Sequence, residues 1–154
     1  MAGQRVFMSG VGGELGTQVA SLLENEPWVE ALSGIDADPP RSRFKRTAFH
    51  RIHPDEHDRI VETVMDFDPH MLVHVGVWEP DARASPALAA QLTDNAAISI
   101  LGAAAECRSL EHVILRSGIE VYGAGRGTLT RPDEFAPIRP TSEWGHTVAD
   151  IERT

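Results

Sequence analysis

Residues 5–16 read RVFMSGVGGELG, and this stretch determines the predicted fold. An apolar run at residues 6–8 leads into four glycines within seven positions: Gly10, Gly12, Gly13 and Gly16. An amphipathic pattern follows, in which four apolar residues share one helical face: Leu15, Val19, Leu22 and Leu23. A strand, a glycine turn and a helix in this order predict a phosphate-binding turn, because the first helical turn has free N–H groups and a positive dipole end. Glycine is needed there because a side chain would block the approach of a pyrophosphate.

The next predicted strand, residues 28–35, closes on Asp36. A dinucleotide-binding turn is followed at about 20 residues by an acid that binds a ribose hydroxyl, and Asp36 stands at that distance from Gly16. A carboxylate accepts hydrogen bonds from the ribose of NAD and repels the 2′-phosphate of NADP. Arg41 and Arg43 could hold such a phosphate, but their positions are typical of solvated loop charges. We therefore expect NAD, the alternative being a glycine turn of some other α/β protein.

The composition excludes several classes of protein. The 154 residues fit one domain, and 42% apolar content is enough for a core. A formal net charge of -9 without a basic cluster argues against nucleic acid or an anionic membrane as the partner. The chain has one cysteine, Cys107, which favours a reducing cytoplasm and reads as a small core residue.

The rest of the chain alternates between strands and helices. The predicted elements are a strand at 47–51, a helix at 54–67, a strand at 71–77, a helix at 86–108, a strand at 111–116, a loop at 117–140 and a last helix from Thr141. In the helix at 54–67, Pro54 suits the first helical position and a stripe is expected to be buried: Ile60, Val61, Val64 and Met65. The order β-α-β-β-α-β-α-β-α predicts an α/β fold, a doubly wound parallel sheet with helices on both faces.

Histidines are the main candidates for a metal site. His50, His53 and His57 have usable spacings, but no cysteine joins them and the neighbouring acids fall on several faces. A solvated helix start is the better interpretation, and no metal is predicted. His74 interrupts the apolar strand at 71–77, where we expect a packed, hydrogen-bonded core histidine.

Five stretches together match the pattern of a known family. They are Ser9-Gly10-x-x-Gly13-x-x-Gly16, His74-Val75-Gly76-Val77, Asn95 in the long helix, Val121-Tyr122-Gly123, and Glu134-x-x-Pro137-x-x-Pro140. The chain resembles the extended short-chain dehydrogenase/reductases, also called NAD-dependent epimerase/dehydratases, and within them actinobacterial nucleotide-sugar epimerase-like proteins. The resemblance implies a Rossmann-type fold truncated after the fifth strand and the start of the next helix.

The resemblance also implies a cofactor site. Its predicted residues are Gly10, Gly13, Glu14, Leu15, Gly16, Asp36, Val75 and Gly76. The family usually places an adenine-side acid, followed by an apolar residue, after the third strand, where this chain has His53 and Pro54. Residues 1–154 are therefore expected to form an NAD-binding domain without a substrate domain, with a nucleotide sugar as the implied substrate class.

The catalytic positions of the family are not matched. There a Tyr-x-x-x-Lys pair does the acid/base work, and a Ser or Thr orients the substrate oxygen. The corresponding residues of this chain are Gly118, Trp144 and Val148, and no register shift helps, since Tyr122 is the only tyrosine and Lys45 the only lysine. Substitute groups that could lie near the nicotinamide end are Ser117, Glu120, Tyr122 and His146. His146 reads more simply as a surface helical residue.

Three functions remain open from the sequence. The first is an NAD-binding domain that is catalytically impaired or inactive. The second is an active epimerase or oxidoreductase that uses other acid/base residues, and the third is a regulatory or scaffolding module that responds to a dinucleotide. The fifth strand would form an apolar edge, so we also expect self-association, partly through the small-residue face of the helix at 86–108.

Overall fold

The computed structural model describes residues 3–80, 84–127 and 131–154. Its elements are β1 (Gln4–Ser9), α1 (Glu14–Leu23), β2 (Val29–Asp36), β3 (Ala48–Arg51), α2 (His57–Phe67), β4 (Met71–His74), α3 (Pro86–Ala105), β5 (His112–Leu115), a 3-10 helix (Ile119–Tyr122) and α4 (Glu143–Arg153). This order confirms the predicted alternation. The chain divides into a sheet unit, Met1–Val77 with Asn95–Arg116, and a C-terminal unit, Trp78–Asp94 with Ser117–Thr154.

The sheet unit contains all five strands, in the order β3-β2-β1-β4-β5. Every neighbouring pair is parallel, and Met8 in the central strand lies opposite Gly34 of β2 and Val73 of β4. The chain runs outward from β1 through β2 to β3 and then returns to form β4 on the other side of β1, so the strand order reverses at β1. The carboxyl ends of β1 and β4 meet there, which is where open α/β sheets bind ligands.

Both faces of the central strand are covered by helices. Val6 and Met8 are fully buried in a cluster with Ala20 of α1, whereas the ring of Phe7 packs against Phe67 of α2 with centroids 5.7 Å apart. Because successive side chains of a strand point to opposite faces, α1 and α2 lie on opposite sides of the sheet. The predicted doubly wound arrangement is thereby confirmed.

The face that α1 buries differs from the predicted one. Leu15 and Leu22 are 46% and 69% exposed, and the residues facing the sheet are Gly16, Thr17 and Ala20. Small side chains are required because the helix starts so close to the glycine turn that larger ones would collide with its backbone. Val19 and Leu23 pack along the side of this contact.

Two predicted boundaries also need correction. Pro54 is not the first residue of a helix, since α2 begins at His57. Residues 53–56 instead form a turn in which the N–H of Glu56 donates to the carbonyl of His53 (2.9 Å) and the Glu56 carboxylate accepts the N–H of His53 (2.7 Å). In α2, Ile60 and Val64 are buried as expected, but Met65 is exposed. The strand predicted to reach residue 77 ends at His74.

The C-terminal unit has a small apolar core of its own. Val121 of the 3-10 helix is buried with Val148 and Ala149 of α4, and Tyr122 and Trp144 pack against them. α4 begins at Glu143, two residues after the predicted start, because Ser142 caps it by accepting the N–H of Gly145 (3.0 Å). No helix in the described ranges combines the length and apolarity that crossing a bilayer requires.

Candidate functional site

The glycine turn after β1 brings two strand ends into contact. Gly10 has a φ of 80°, a conformation that favours glycine, and a Cβ there would lie 2.5 Å from the backbone nitrogen of Gly76. The turn therefore packs directly on the segment that follows β4. Of the predicted cofactor-binding residues, Gly10, Val75 and Gly76 are thus brought together by the fold.

Close packing also explains two other glycines of the turn. A Cβ on Gly16 would lie 2.6 Å from the carbonyl carbon of Gly10 and 2.9 Å from Cα of Val11. A Cβ on Gly12 would lie 2.9 Å from the carboxyl carbon of Asp36. Gly12 and Gly16 are thus required by the protein's own backbone and side chains.

Gly13 is different because the protein leaves space beside it. Its φ of -71° and ψ of 166° are open to any residue, and a Cβ would meet only the Gly10 carbonyl oxygen, at 3.6 Å. Gly13 is exposed and stands at the N-cap of α1, where glycine offers no capping side chain. Nothing in the described structure requires glycine at this position.

The N-terminus of α1 opens toward this space. The N–H of Thr17 makes the first helical hydrogen bond, to the carbonyl of Gly13 (2.9 Å). The N–H groups of Glu14, Leu15 and Gly16 precede that bond, so they have no carbonyl four residues back within the helix. Three N–H groups at the positive end of a helix dipole form an anion site when glycine leaves access to them.

Asp36 stands at the carboxyl end of β2, next to the turn. Its carboxylate accepts the N–H of Gly12 through Oδ2 (2.9 Å) and the N–H of Asp38 through Oδ1 (3.0 Å). Burial raises the pKa of Asp36 above its ordinary value, against the opposing effect of these two hydrogen bonds. Each carboxylate oxygen has a second lone pair, so both can still accept hydroxyl groups of a ligand.

His74 and Ser9 join the ends of β4 and β1. The two residues lie opposite each other in the sheet, with Ser9 Oγ 2.5 Å from Nδ1 of His74. Burial lowers the pKa of His74 to about 4, so the ring is neutral near pH 7. The predicted hydrogen-bonded core histidine is confirmed, although its buried Nε2 has no partner among the described residues.

A buried carboxylate that sequence reasoning missed holds the loop between β2 and β3. Glu24 accepts the N–H groups of Lys45, Arg46 and Thr47 at 2.8 to 2.9 Å and the Thr47 hydroxyl at 2.7 Å. Burial would raise the pKa of Glu24, but the hydrogen bonds from Arg46, Thr47 and Lys45 outweigh it and the pKa is lowered. A glutamate at the end of a helix gives no local signal of this role, because its partners lie more than 20 residues on.

The positions that correspond to the catalytic residues of the family that this chain resembles lie in the C-terminal unit. Val148 belongs to its apolar core and Trp144 packs against that core. A Cβ on Gly118 would meet the Glu120 carboxylate at 2.5 Å. Glycine, tryptophan and valine have no group that could exchange a proton with a substrate oxygen.

The substitute acid/base groups belong to the same unit. Ser117 donates a hydrogen bond to the Glu152 carboxylate, and Tyr122 packs against the apolar core. Glu120 and His146 are exposed.

The candidate metal ligands are not gathered into a site. Among residues 3–80, 84–127 and 131–154, no group of three or more His, Cys, Asp or Glu side chains could hold a metal ion. His53 instead faces Asp55, with Nδ1 3.4 Å from Oδ2. Cys107 is half-buried, and burial raises the pKa of its thiol, which fits the predicted packing role.

Solved structures of similar fold are about twice as long as this chain. WbmH of Bordetella bronchiseptica, crystallised with NAD+, is 20% identical with a TM-score of 0.80 over 98% of this chain and 51% of its own. UDP-glucose 4-epimerase of Brucella ovis, in complex with NAD, is 21% identical with a TM-score of 0.81 over 97% and 46%. WbmG of Bordetella bronchiseptica, with NAD and UDP, is 18% identical with a TM-score of 0.78 over 99% and 49%.

These likenesses establish the Rossmann-like fold, and the chain spans about half the length of the proteins it matches. No curated protein sequence matches it significantly. A sequence model described as the NAD dependent epimerase/dehydratase family matches residues 6–153, almost the whole chain. The chain therefore belongs to the NAD dependent epimerase/dehydratase family.

Proposed function

We propose that residues 1–154 form a domain that binds NAD without catalysing a reaction by the family's usual residues. The N–H groups at the start of α1 would hold the pyrophosphate, and Asp36 would hold the adenosine ribose. The complete set of residues proposed to contact the dinucleotide is Gly10, Gly13, Glu14, Leu15, Gly16, Asp36, Val75 and Gly76. When bound, the nicotinamide supplies a hydride acceptor, while the chain's own residues bind and orient the molecule.

The observation that carries this proposal is the space beside Gly13. At Gly10, Gly12 and Gly16 an added Cβ would collide with other atoms of the protein, whereas at Gly13 it would not. We infer that a Cβ at this position would hinder a phosphate oxygen that approaches the N–H groups of the first helical turn. Gly13 would therefore keep the N-terminus of α1 accessible to a phosphate group.

The preference for NAD over NADP rests on Asp36. Its carboxylate is fixed by two backbone N–H groups, so it cannot turn away to admit a 2′-phosphate without losing both bonds. Arg41 and Arg43 are exposed, and the backbone N–H of Arg41 is bound to Thr17 Oγ1 (3.0 Å). This charge distribution favours the free ribose hydroxyls of NAD.

The absence of the family's chemistry is the second part of the proposal. The sequence contains no Tyr-x-x-x-Lys pair, and Trp144 and Val148 at those positions build an apolar core instead. A lysine at Val148 would be buried among apolar side chains. We therefore assign the domain to binding, and an epimerase or oxidoreductase reaction would need other groups.

Incubation of the chain with NAD and a deuterated or reducing alcohol substrate tests whether the chain only binds NAD or also catalyses hydride exchange. The proposal expects NAD to bind and no hydride exchange to be detected, with or without UDP-sugars in the mixture. Hydride exchange abolished by Glu120→Gln or His146→Gln would establish an active enzyme with substitute groups. Binding of a partner protein that changes with NAD or NADH would favour a regulatory or scaffolding module.

We further propose that the chain self-associates through β5. This strand is the last of the sheet, and its adjacent residues Val113 and Ile114 are 45% and 50% exposed. Adjacent residues point to opposite faces, so apolar surface is uncovered on both sides of a strand edge that can pair with another chain. Sedimentation at high protein concentration should detect an oligomer that Ile114→Lys dissociates, and a monodisperse monomer would contradict this.

A further inference from the structure

The basic residues of the chain are concentrated between the end of β2 and the end of β3. Five of its 14 basic residues fall in residues 41–51, a stretch without aspartate or glutamate, although the net charge of the chain is -9. The acidic composition of the whole chain therefore conceals a locally basic segment. Arg46 and Arg51 serve the fold, since the Nε of each donates to a backbone carbonyl, that of Glu24 (2.7 Å) and that of Ala37 (2.9 Å). The other three are exposed, and none forms an ion pair within the described ranges: Arg41, Arg43 and Lys45.

The loop that carries these three cations is anchored at its far end. The carboxylate of Glu24 accepts the three successive backbone N–H groups of residues 45–47 at 2.8 to 2.9 Å. Phe44 packs against the buried apolar cluster of β1 and β2. Arg43 and Lys45 flank this anchored ring, so the backbone from which both charged side chains extend is held in place.

The near end of the loop lies against the glycine turn. The N–H of Arg41 donates to Oγ1 of Thr17 (3.0 Å), and the Thr17 hydroxyl donates to the carbonyl of Val11 (2.7 Å). Thr17 is 4% exposed, so these two hydrogen bonds are shielded from water. The carbonyl of Asp38 also lies so close to Gly12 that a Cβ there would collide with it. The cations therefore begin immediately beside the turn that is proposed to hold the pyrophosphate.

We propose that Arg41, Arg43 and Lys45 form a capture surface, which attracts the phosphates of an approaching dinucleotide and delivers them to the glycine turn. The inference rests on the proposed function, because it concerns how the same molecule reaches its site. A chain with a net charge of -9 repels an anionic ligand at long range, and cations beside the site oppose this repulsion locally. Their attraction extends over about 10 Å at 0.1 M salt, which is far enough to act before contact. Asp36 and the N-terminus of α1 then hold the bound molecule.

The size of the capture surface fits a dinucleotide better than a nucleic acid. Proteins that bind nucleic acid commonly contact roughly six to ten phosphates, and three exposed cations are too few for that. The rest of this chain would also repel a long polyanion, because its 23 acidic residues outnumber its 14 basic ones. A dinucleotide has two phosphates only. The positive charge of the oxidised nicotinamide offsets one of them, so NADH should be attracted more strongly than NAD.

Stopped-flow binding of NADH to the whole chain, followed by the fluorescence of the reduced nicotinamide, tests this inference. The association rate constant should fall at least about threefold between roughly 20 mM and 500 mM salt, because salt screens the attraction between separated charges. NAD, measured by competition with NADH, should show a weaker salt dependence. Arg43→Gln should lower the association rate constant about twofold at low salt and leave the dissociation rate constant unchanged. Arg108→Gln removes the same charge from an exposed position ahead of β5, at the opposite end of the sheet, and should change neither rate constant.

Arg41→Gln combined with Arg43→Gln should slow association further at low salt, and all variants should associate equally fast at high salt. Association that is independent of salt in the unmodified chain, or that Arg43→Gln and Arg108→Gln slow equally, would overturn the capture surface and leave the NAD-binding proposal intact. Faster dissociation with unchanged association would make the arginines contacts of the bound molecule, which also overturns the capture surface. Binding of neither NADH nor NAD would overturn the dinucleotide proposal and this inference with it. Where a variant fails to fold, equal salt dependence of NAD and NADH on the unmodified chain is sufficient to overturn the inference.

Discussion

Replacing Gly13 by alanine separates the requirements of the fold from those of the ligand. Gly13 has backbone angles open to alanine, and the added Cβ would meet one oxygen at 3.6 Å, an ordinary van der Waals distance. Gly16, three residues further along the same motif, is the matched contrast, since its Cβ would lie 2.6 Å from a backbone carbon. The two substitutions add the same methyl group to the same glycine turn.

The expected free-energy changes follow from these distances. At Gly13, alanine loses some favourable N-cap character and gains from a less flexible unfolded chain, so the free energy of unfolding should change by no more than about 0.5 kcal/mol. At Gly16, the backbone of the turn must move, which should cost roughly 1–3 kcal/mol or more. For NAD binding, the methyl group at residue 13 should cost at least about 1.4 kcal/mol, a tenfold loss of affinity.

Urea unfolding and calorimetric titration on each variant measure the two quantities independently. Gly13→Ala should unfold at the midpoint of the unmodified chain and bind NAD at least tenfold more weakly. Gly16→Ala should unfold at a lower urea concentration than the unmodified chain. A ligand-access role for Gly13 would be contradicted if Gly13→Ala bound NAD as tightly as the unmodified chain, or if it destabilised the fold as much as Gly16→Ala does.

Two further predictions concern a buried acid and a buried apolar position. The pKa of Glu24 is lower in the folded chain than in the unfolded one, so its stabilising contribution is present above the unfolded pKa and is lost as pH falls through the folded pKa. Glu24→Gln should therefore flatten the loss of stability that urea unfolding shows as the pH falls through the acidic range, and Glu62→Gln, on an exposed site of α2, is the matched control. Val148→Lys, which introduces the lysine of the family pattern, should destabilise the chain by about 4 kcal/mol at pH 7, because a lysine buried there must lose its proton. Val148→Met has a similar length without the charge and should cost much less in thermal unfolding; equal losses would show that size and not charge is responsible.

The order of elements could be predicted because each strand and helix leaves a local pattern. Residues 6–8 and 71–73 read as continuous apolar runs, as parallel strands buried on both faces do. The glycine turn and Asp36 could also be found, since glycine spacing and an acid after the next strand are set by the chemistry of a dinucleotide. These features are local, and the fold preserves them.

The face of α1 and the polar contacts could not be predicted in the same way. Periodicity shows that Leu15 and Leu22 share a face, but the sheet selects the small residues Gly16 and Ala20 because the helix begins against the turn. The hydrogen bond between Asp55 and Asn95 joins two elements 40 residues apart, which no local pattern reveals. Long-range polar contacts depend on the finished packing.

Titration of the whole chain with NAD and NADP in the same buffer tests the central claim most directly. The glycine turn and Asp36 predict saturable binding of NAD at one site per chain, with NADP at least about tenfold weaker. Binding of neither dinucleotide, or a preference for NADP, would contradict the account.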